Sequence, residues 1–193
     1  PRLVVVIESP GASLIGDDLR SAIADNGMAG TTFVMTDPLS SVPVTRAIDR
    51  TLKSVMDFID PPPRQTKKGT VNILGLSIMD KDWRSARDEL SGIIGDIGLE
   101  VVCMPGAGSS VSQLIDSVNA EFNIVVCPEM CGELMQWYSS RGVPSIVSDA
   151  GAPVGFDATE AWIAALASAS GRDPHPALER VRRCRSNIAE RFL

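Results

Sequence analysis

The sequence is poor in histidine, and this restricts the kinds of catalytic site that it can build. The chain of 193 residues has one histidine, His175, which is flanked by prolines near the end of the sequence. A Ser-His-Asp or Cys-His site would have to use this residue, which is distant in sequence from every other candidate. The four cysteines form no Cys-x-x-Cys pair, and there is no histidine pair, so a structural zinc site is not expected.

Long apolar runs and basic clusters are also absent. No apolar run approaches the roughly 18 residues that mark a membrane-spanning helix. Pro1-Arg2 leads directly into a strand-like run, which is not the layout of a signal peptide. The formal net charge is -6 and no Lys/Arg-rich tract occurs, which argues against a nucleic-acid partner. These absences predict a cytoplasmic protein with reduced cysteines and with neither a membrane nor a nucleic-acid partner.

A regular alternation of strand-like and helix-like segments is present instead. Apolar runs such as 71–76 and 122–126 predict buried parallel strands, and an amphipathic pattern at 83–97 predicts a helix between them. Strands that alternate with helices at this spacing are typical of a parallel sheet with right-handed crossovers. The sequence therefore predicts an α/β fold, a Rossmann-like parallel sheet flanked by helices.

A proline-rich segment predicts two α/β portions joined by a linker. Three consecutive prolines, Pro61 to Pro63, begin a stretch with no core-forming residue. Because the chain starts without Met and ends directly after an amphipathic run, we expect a fragment of a longer protein. The expected division is the end of a first α/β domain at 1–60, a linker at 61–69, a Rossmann-like middle domain at 70–172, and at 173–193 a helix that leads to or packs on another domain.

Cys127 is the first candidate site residue. It directly follows the buried strand 122–126, and a helix follows it, with Cys131 one turn further on. Ligands of open α/β sheets bind outside the carboxyl ends of the strands. A thiol at this point is therefore in a position for chemistry. Free cysteine is also commonly a small buried hydrophobic residue, and from the residues alone both interpretations stay open.

Two further loops at strand ends carry candidate residues. Residues 105–110 are glycine-rich and open a helix, so that their amides could receive an anion; Gly106, Gly108 and Ser109 are the candidates. This loop is neither a Rossmann fingerprint nor a Walker A motif, and a tight turn is the favoured interpretation. The segment 148–156, with Gly155, is long enough to close over a site.

An ordered set of motifs resembles the nitrogenase component 1 family. This family includes the nitrogenase MoFe-protein α and β subunits, cofactor-assembly scaffold proteins and relatives of the dark-operative protochlorophyllide reductase. The matching pieces are the IGDD motif Ile15-Gly16-Asp17-Asp18, the run 69–75 after the prolines, Gly106-Ala107-Gly108-Ser109-Ser110, Asn123-Ile124-Val125-Val126-Cys127, Gly142-Val143-Pro144 and the run 153–159.

The resemblance implies specific roles for single positions. Cys127 matches a cysteine that, in catalytic relatives, binds an iron of the active-site cofactor, so an iron–sulfur cluster or another iron-containing cofactor is implied, with Cys127 as metal ligand. The family cysteine before the IGDD motif, which binds a bridging cluster, is absent, because Ser9 or Pro10 stands at its position. The implied partners are a homologous second subunit in a heterotetramer and an ATP-dependent iron–sulfur reductase.

Three functions follow from these observations. The first is a fragment of an oxidoreductase subunit that receives electrons from the reductase and passes them to a cofactor or substrate bound near Cys127 and the two loops. The second is a non-catalytic scaffold or carrier for a metallocluster or a tetrapyrrole. The third is a nucleotide- or flavin-binding module, which would use 106–110 and leave Cys127 without a role. The isolated fragment itself is expected to be inactive.

Overall fold

The computed structural model describes residues 3–7, 11, 15–16, 18–25, 33–36 and 43–192. These residues form two parallel sheets and the helices around them. The strands are β1 (Val4–Ile7), β2 (Phe33–Thr36), β3 (Lys67–Leu74), β4 (Glu100–Cys103), β5 (Ala120–Val125) and β6 (Ser145–Val147). The α-helices are α1 (Leu19–Asp25), α2 (Val44–Ile59), α3 (Trp83–Asp96), α4 (Val111–Asp116), α5 (Gly132–Ser140), α6 (Phe156–Ser170) and α7 (His175–Phe192).

The larger sheet has four parallel strands in the order β4-β3-β5-β6. Its central strand β3 is buried from Thr70 to Leu74, as expected for a parallel strand that helices cover on both faces. On one face, α3, α6 and α7 contribute Ile94, Trp162 and Val181 to a hydrophobic core. The other face carries a second core, to which helices α2, α4 and α5 contribute Met56, Leu114 and Tyr138. The predicted α/β fold, with a parallel sheet flanked by helices, is thereby confirmed.

Helix α2 connects the smaller sheet to the larger one. It packs against β2, which pairs in parallel with β1. Its buried side chains Val55 and Met56 belong to the core on the larger sheet. Helix α2 therefore packs on both sheets. The division of the chain at residue 60 stays a prediction.

The proline-rich segment after α2 is attached to the larger sheet. Pro61 is buried, and the guanidinium of Arg64 donates hydrogen bonds to the backbone carbonyls of Ala120, Glu121 and Gly142. The last three residues of the expected linker, 67–69, belong to strand β3. The structure therefore does not show a free linker here. None of the helices among the described residues has the length and apolar character needed to cross a membrane.

Candidate functional site

The candidate residues lie on loops at the carboxyl edge of the larger sheet. The chain runs from β3 to its neighbour β4 in one direction along the sheet, and from β5 to β6 in the other. The space between the carboxyl ends of β3 and β5 is therefore the topological switch point, where open α/β sheets bind ligands. Cys127 lies on the loop after β5, Gly106, Gly108 and Ser109 lie on the loop after β4, and Gly155 lies on the loop after β6.

The Cys127 thiol is half-buried and lies beside a carboxylate. Its Sγ donates a hydrogen bond to Oε2 of Glu129 at 3.2 Å. Burial, and after it the neighbouring Glu129 carboxylate, raises the pKa of the Cys127 thiol above its usual value. The pKa of Glu129 is lowered, first by its own backbone amide and then by the thiol. At neutral pH the pair is therefore a protonated thiol beside a carboxylate.

Cys131 is a residue of the buried core. Its side chain is fully buried, and its Sγ donates to the carbonyl oxygen of Cys127 at 3.3 Å. Burial is the main cause that raises its pKa to about 12, and the nearby Asp49 carboxylate adds to it. Cys103 is buried as well, with its pKa raised by burial to about 12. Neither thiol is available as a thiolate near neutral pH.

Two residues from outside the loop hold the turn that carries Cys127. Gly75 adopts a φ of 87°, and a Cβ at this position would lie 2.5 Å from the carbonyl oxygen of Cys127. Only glycine permits both this backbone conformation and this close approach. At the other end of the turn, Asp49 of α2 accepts hydrogen bonds from the amides of Glu133 at 2.7 Å and Leu134 at 2.9 Å. Sequence reasoning missed Asp49, because no local pattern links α2 to α5.

The loop after β4 is closed mainly by hydrogen bonds among its own residues. Ser109 Oγ accepts from the Met104 amide at 2.8 Å, and the Ala107 amide donates to the Met104 carbonyl. Ser110 and Gln113 form a capping box at the start of α4. Gly106 and Gly108 have positive φ, and a Cβ on Gly108 would meet the Trp83 ring at 3.0 Å. These bonds use the amides of Ala107, Ser110 and Gln113, and the geometry is that of a tight turn.

Gly155 borders a different space. It is exposed, and it lines an apolar cleft of about 430 Å³ whose floor includes Leu76 and Val126, the residues that follow the carboxyl ends of β3 and β5. Gly108 and Ser109 line a separate pocket of about 250 Å³, together with Cys103 and Arg87. Neither space includes Cys127 among its lining residues. The structure places the five candidates on one edge of the sheet but not in one cavity.

A family model described as "Nitrogenase component 1 type Oxidoreductase" matches residues 1–193. The chain belongs to the nitrogenase component 1 family. This confirms the resemblance drawn from the ordered motifs. The chain is accordingly a nitrogenase component 1-like oxidoreductase domain.

Similar proteins of this family include components of a light-independent reductase. The chain is 32% identical over 108 residues to a subunit of the light-independent protochlorophyllide reductase of Rhodospirillum rubrum, and the match covers 55% of this chain and 19% of that protein. It is 22% identical over 176 residues to the corresponding protein from Roseobacter denitrificans, covering 86% and 34% respectively. A solved structure named "Nitrogenase Cp1 at pH 5" superposes with a TM-score of 0.72 at 19% identity, covering 95% of this chain and 36% of that one. The chain thus spans about a third or less of the length of these relatives.

The described residues can supply only part of a metallocluster site of the kind that the nitrogenase component 1 family implies. Among them, no three or more His, Cys, Asp or Glu side chains are grouped so as to hold a metal ion. Cys127 and Glu129 offer one thiol and one carboxylate, and thiolate sulfur is the soft ligand that iron–sulfur sites use. This donor set fits one anchoring ligand of a cofactor that has its other ligands elsewhere. It does not fit a cluster held by these residues alone.

The IGDD motif of the nitrogenase component 1 family is described in part. Asp18 precedes helix α1, and its Oδ1 accepts from the Ser21 amide at 3.1 Å, which caps the helix. Ser9 and Pro10, at one of which the resemblance implies the bridging-cluster position, lie outside the described residues. The absence of a cysteine at this position is therefore known from the sequence alone.

Proposed function

We propose that the full-length protein is a nitrogenase component 1-like oxidoreductase subunit that holds a metallocluster or a related cofactor at the carboxyl edge of the larger sheet. Cys127 is the protein ligand to that cofactor. The electrons come from an ATP-dependent iron–sulfur reductase, and a homologous second subunit completes a heterotetramer. The bound cofactor would supply the electron-transfer chemistry.

One observation supports this function above the others. The Cys127 thiol is the accessible sulfur on the loop after β5, beside the topological switch point, whereas Cys103 and Cys131 are buried. Binding to iron requires that the thiol lose its proton, and the Glu129 carboxylate at 3.2 Å is placed to accept it. The backbone of the turn holds the sulfur in position, because Gly75 packs against Cys127.

A specific observation also favours the second function, a non-catalytic scaffold or carrier. Only one thiol and one carboxylate of this segment are available to a cofactor, and the pKa of the thiol is raised by burial and by Glu129. A ligand that binds metal only after losing a tightly held proton exchanges its cofactor more readily than a preformed thiolate site. Cysteine is also absent at the bridging-cluster position. Both features suit a protein that receives a metallocluster or a tetrapyrrole and passes it on.

The experiment that tests the proposal is anaerobic purification of the full-length protein, co-expressed with its partner proteins. Iron, acid-labile sulfide and the absorption spectrum are measured for the wild type, for Cys127→Ala and for Cys184→Ala. Cys184 is the matched control, because it is the other accessible thiol of the described residues and lies on α7. Loss of iron or pigment in Cys127→Ala, with full content in Cys184→Ala, is the expected result.

Equal content in all three proteins would refute the role of Cys127. A wild type without metal or pigment would refute the cofactor-holding function as a whole. To separate the two functions, the loaded protein is mixed with the iron–sulfur reductase and ATP. Oxidation of the reductase that persists over many turnovers identifies the oxidoreductase, whereas transfer of the cofactor to an acceptor protein without such oxidation identifies the carrier.

A further inference from the structure

The helix that follows Cys127 has no cap from its own sequence. Helix α5 begins at Gly132, and its N-cap residue is Cys131, whose side chain makes no capping hydrogen bond. The first amides of a helix have no partner within the helix, and burying them without one is costly. The acceptor for the first amides of α5 must therefore come from another part of the chain.

That acceptor is Asp49. Its side chain is 4% exposed, and each of its two oxygens accepts one amide of the first turn of α5, from Glu133 and from Leu134. Arg50, the next residue of α2, forms an ion pair with the Glu133 carboxylate at 3.1 Å. Asp49 lies 84 residues before Glu133, so the cap joins two helices that are distant in sequence.

The capped turn is also the turn that presents Cys127. Between Cys127 and α5 lies one short 3-10 turn, Pro128–Met130, in which the Met130 amide donates to the Cys127 carbonyl. At its start the turn is held by the close packing of Cys127 on Gly75. At its end it continues directly into the first turn of α5, where Asp49 is bonded. Besides the bonds within the turn, which include those from the Met130 amide and the Cys131 thiol to the Cys127 carbonyl, the position of the sulfur depends on one outside contact at each end.

We infer that Asp49 is a positioning residue for Cys127, which it holds in place by capping helix α5 from helix α2. The relevance of this contact to a bound cofactor rests on the proposed function, but the contact itself does not. Asp57 provides a matched control. It lies on the same helix and binds the same partner helix through the Trp137 indole nitrogen at 2.8 Å, but its partner lies past the middle of α5.

The test is hydrogen exchange, read by mass spectrometry, on the full-length protein without added cofactor. In Asp49→Ala, peptides that cover 126–132 should exchange about tenfold faster or more, the change expected when a charge-assisted hydrogen bond is lost. Peptides of β4 serve as the internal reference for general destabilisation. Asp57→Ala should leave the exchange of 126–132 within about twofold of the wild type.

Asp49→Asn keeps the shape and one carbonyl oxygen, so it should give an intermediate rate, and it serves if Asp49→Ala does not fold. The inference is overturned if 126–132 keeps its wild-type exchange in the Asp49 variants, or if Asp57→Ala accelerates it equally. Cofactor content, measured on the same proteins, separates this inference from the proposed function. If 126–132 exchanges faster in the Asp49 variants but Cys127→Ala keeps its full cofactor content, the positioning role is upheld and the ligand role of Cys127 is refuted. If 126–132 keeps its wild-type exchange in the Asp49 variants while Cys127→Ala loses the cofactor, the positioning role is refuted and the ligand role of Cys127 is upheld.

Discussion

The loops after β4 and β5 leave the same edge of the same sheet, but the helices that follow them are capped in different ways, locally after β4 and from α2 after β5. The loop after β4 is closed mainly by bonds among its own residues, from Met104 to Gln113, and receives one backbone bond from outside, from the Ile78 amide to the Gly106 carbonyl. The loop after β5 depends on Gly75, which packs on its start, and on Asp49, which caps the helix at its end. The self-contained loop carries no accessible thiol, whereas the externally held loop carries Cys127.

This difference has a physical consequence. A loop that satisfies its own amides keeps its shape when its neighbours change, since the groups that define it are local in sequence. A turn whose shape is set by distant residues can be altered from those residues. The turn that carries the thiol therefore depends on α2 and on the loop after β3. The glycine-rich loop also meets these elements, since the Ile78 amide donates to the Gly106 carbonyl at 2.8 Å and Leu52 packs near Gly106, but the start of its helix α4 is capped locally. The predictions below test this contrast through the free energy of unfolding and then through the thiol itself.

The largest effect is expected for Gly75→Ala. The new Cβ would lie 2.5 Å from the Cys127 carbonyl oxygen and 2.6 Å from its nitrogen, both of them backbone atoms, at a φ of 87°. We expect the free energy of unfolding, from urea titration, to fall by about 4 kcal/mol or more. Gly151→Ala is the control, because it has a φ of 79° and nothing within 4 Å. It should cost about 1 kcal/mol. Equal losses in both variants would show that the contact with Cys127 does not matter.

Asp49→Ala should have the next largest effect. It leaves two amides at the start of α5 without their charged acceptor in a buried place. We expect the free energy of unfolding to fall by about 3 kcal/mol. Asp57→Ala removes the bond from the Trp137 indole and an exposed ion pair with Lys53, and it should cost about 1 kcal/mol. A loss for Asp49→Ala no greater than that for Asp57→Ala would contradict the buried-cap interpretation.

Ser110→Ala tests the self-contained loop and should have a smaller effect. It removes the side-chain oxygen that accepts the Gln113 amide in the capping box of α4. The expected cost is about 1 kcal/mol, the usual value for loss of an N-cap. Ser112→Ala, at an exposed position of the same helix, should change the free energy of unfolding by less than about 0.5 kcal/mol. The hydrogen exchange of 126–132 should be unchanged in both variants. Faster exchange there would show that the two loops are coupled after all.

The same contrast explains which features could be predicted from the sequence. The strand and helix order follows from hydrophobic periodicity, which is local, and it places Cys127 at the carboxyl edge. The spacing Ser110-x-x-Gln113 is a capping-box pattern and could have predicted the closure of the loop after β4. The role of Asp49 could not be predicted, because it depends on how α2 packs on α5. The attachment of the expected linker was missed for a similar reason, since Arg64 binds carbonyls that are more than 50 residues away.

The smallest effect is expected at the thiol, in Glu129→Gln. The Glu129 carboxylate accepts a hydrogen bond from the Cys127 thiol and repels the thiolate, so its loss lowers the pKa of Cys127. At a pH below the pKa of Cys127, the variant then has a larger thiolate fraction than the wild type. Alkylation of Cys127 by iodoacetamide should therefore be about two- to fivefold faster at neutral pH. Above the pKa of Cys127 in both proteins the rates should converge. Modification at each cysteine is followed by peptide mass spectrometry, with exposed Cys184 as the internal standard.

Three features of that measurement make the outcome decisive. Cys184 should react at the same rate in both proteins, since it lies on α7. Cys103 and Cys131, whose pKa values burial raises to about 12, should stay unmodified while the protein is folded. A Cys127 rate that is unchanged or slower in Glu129→Gln would mean that burial alone sets its pKa. The carboxylate would then have no part in holding the thiol proton, and the two loops would differ only in how their backbones are held.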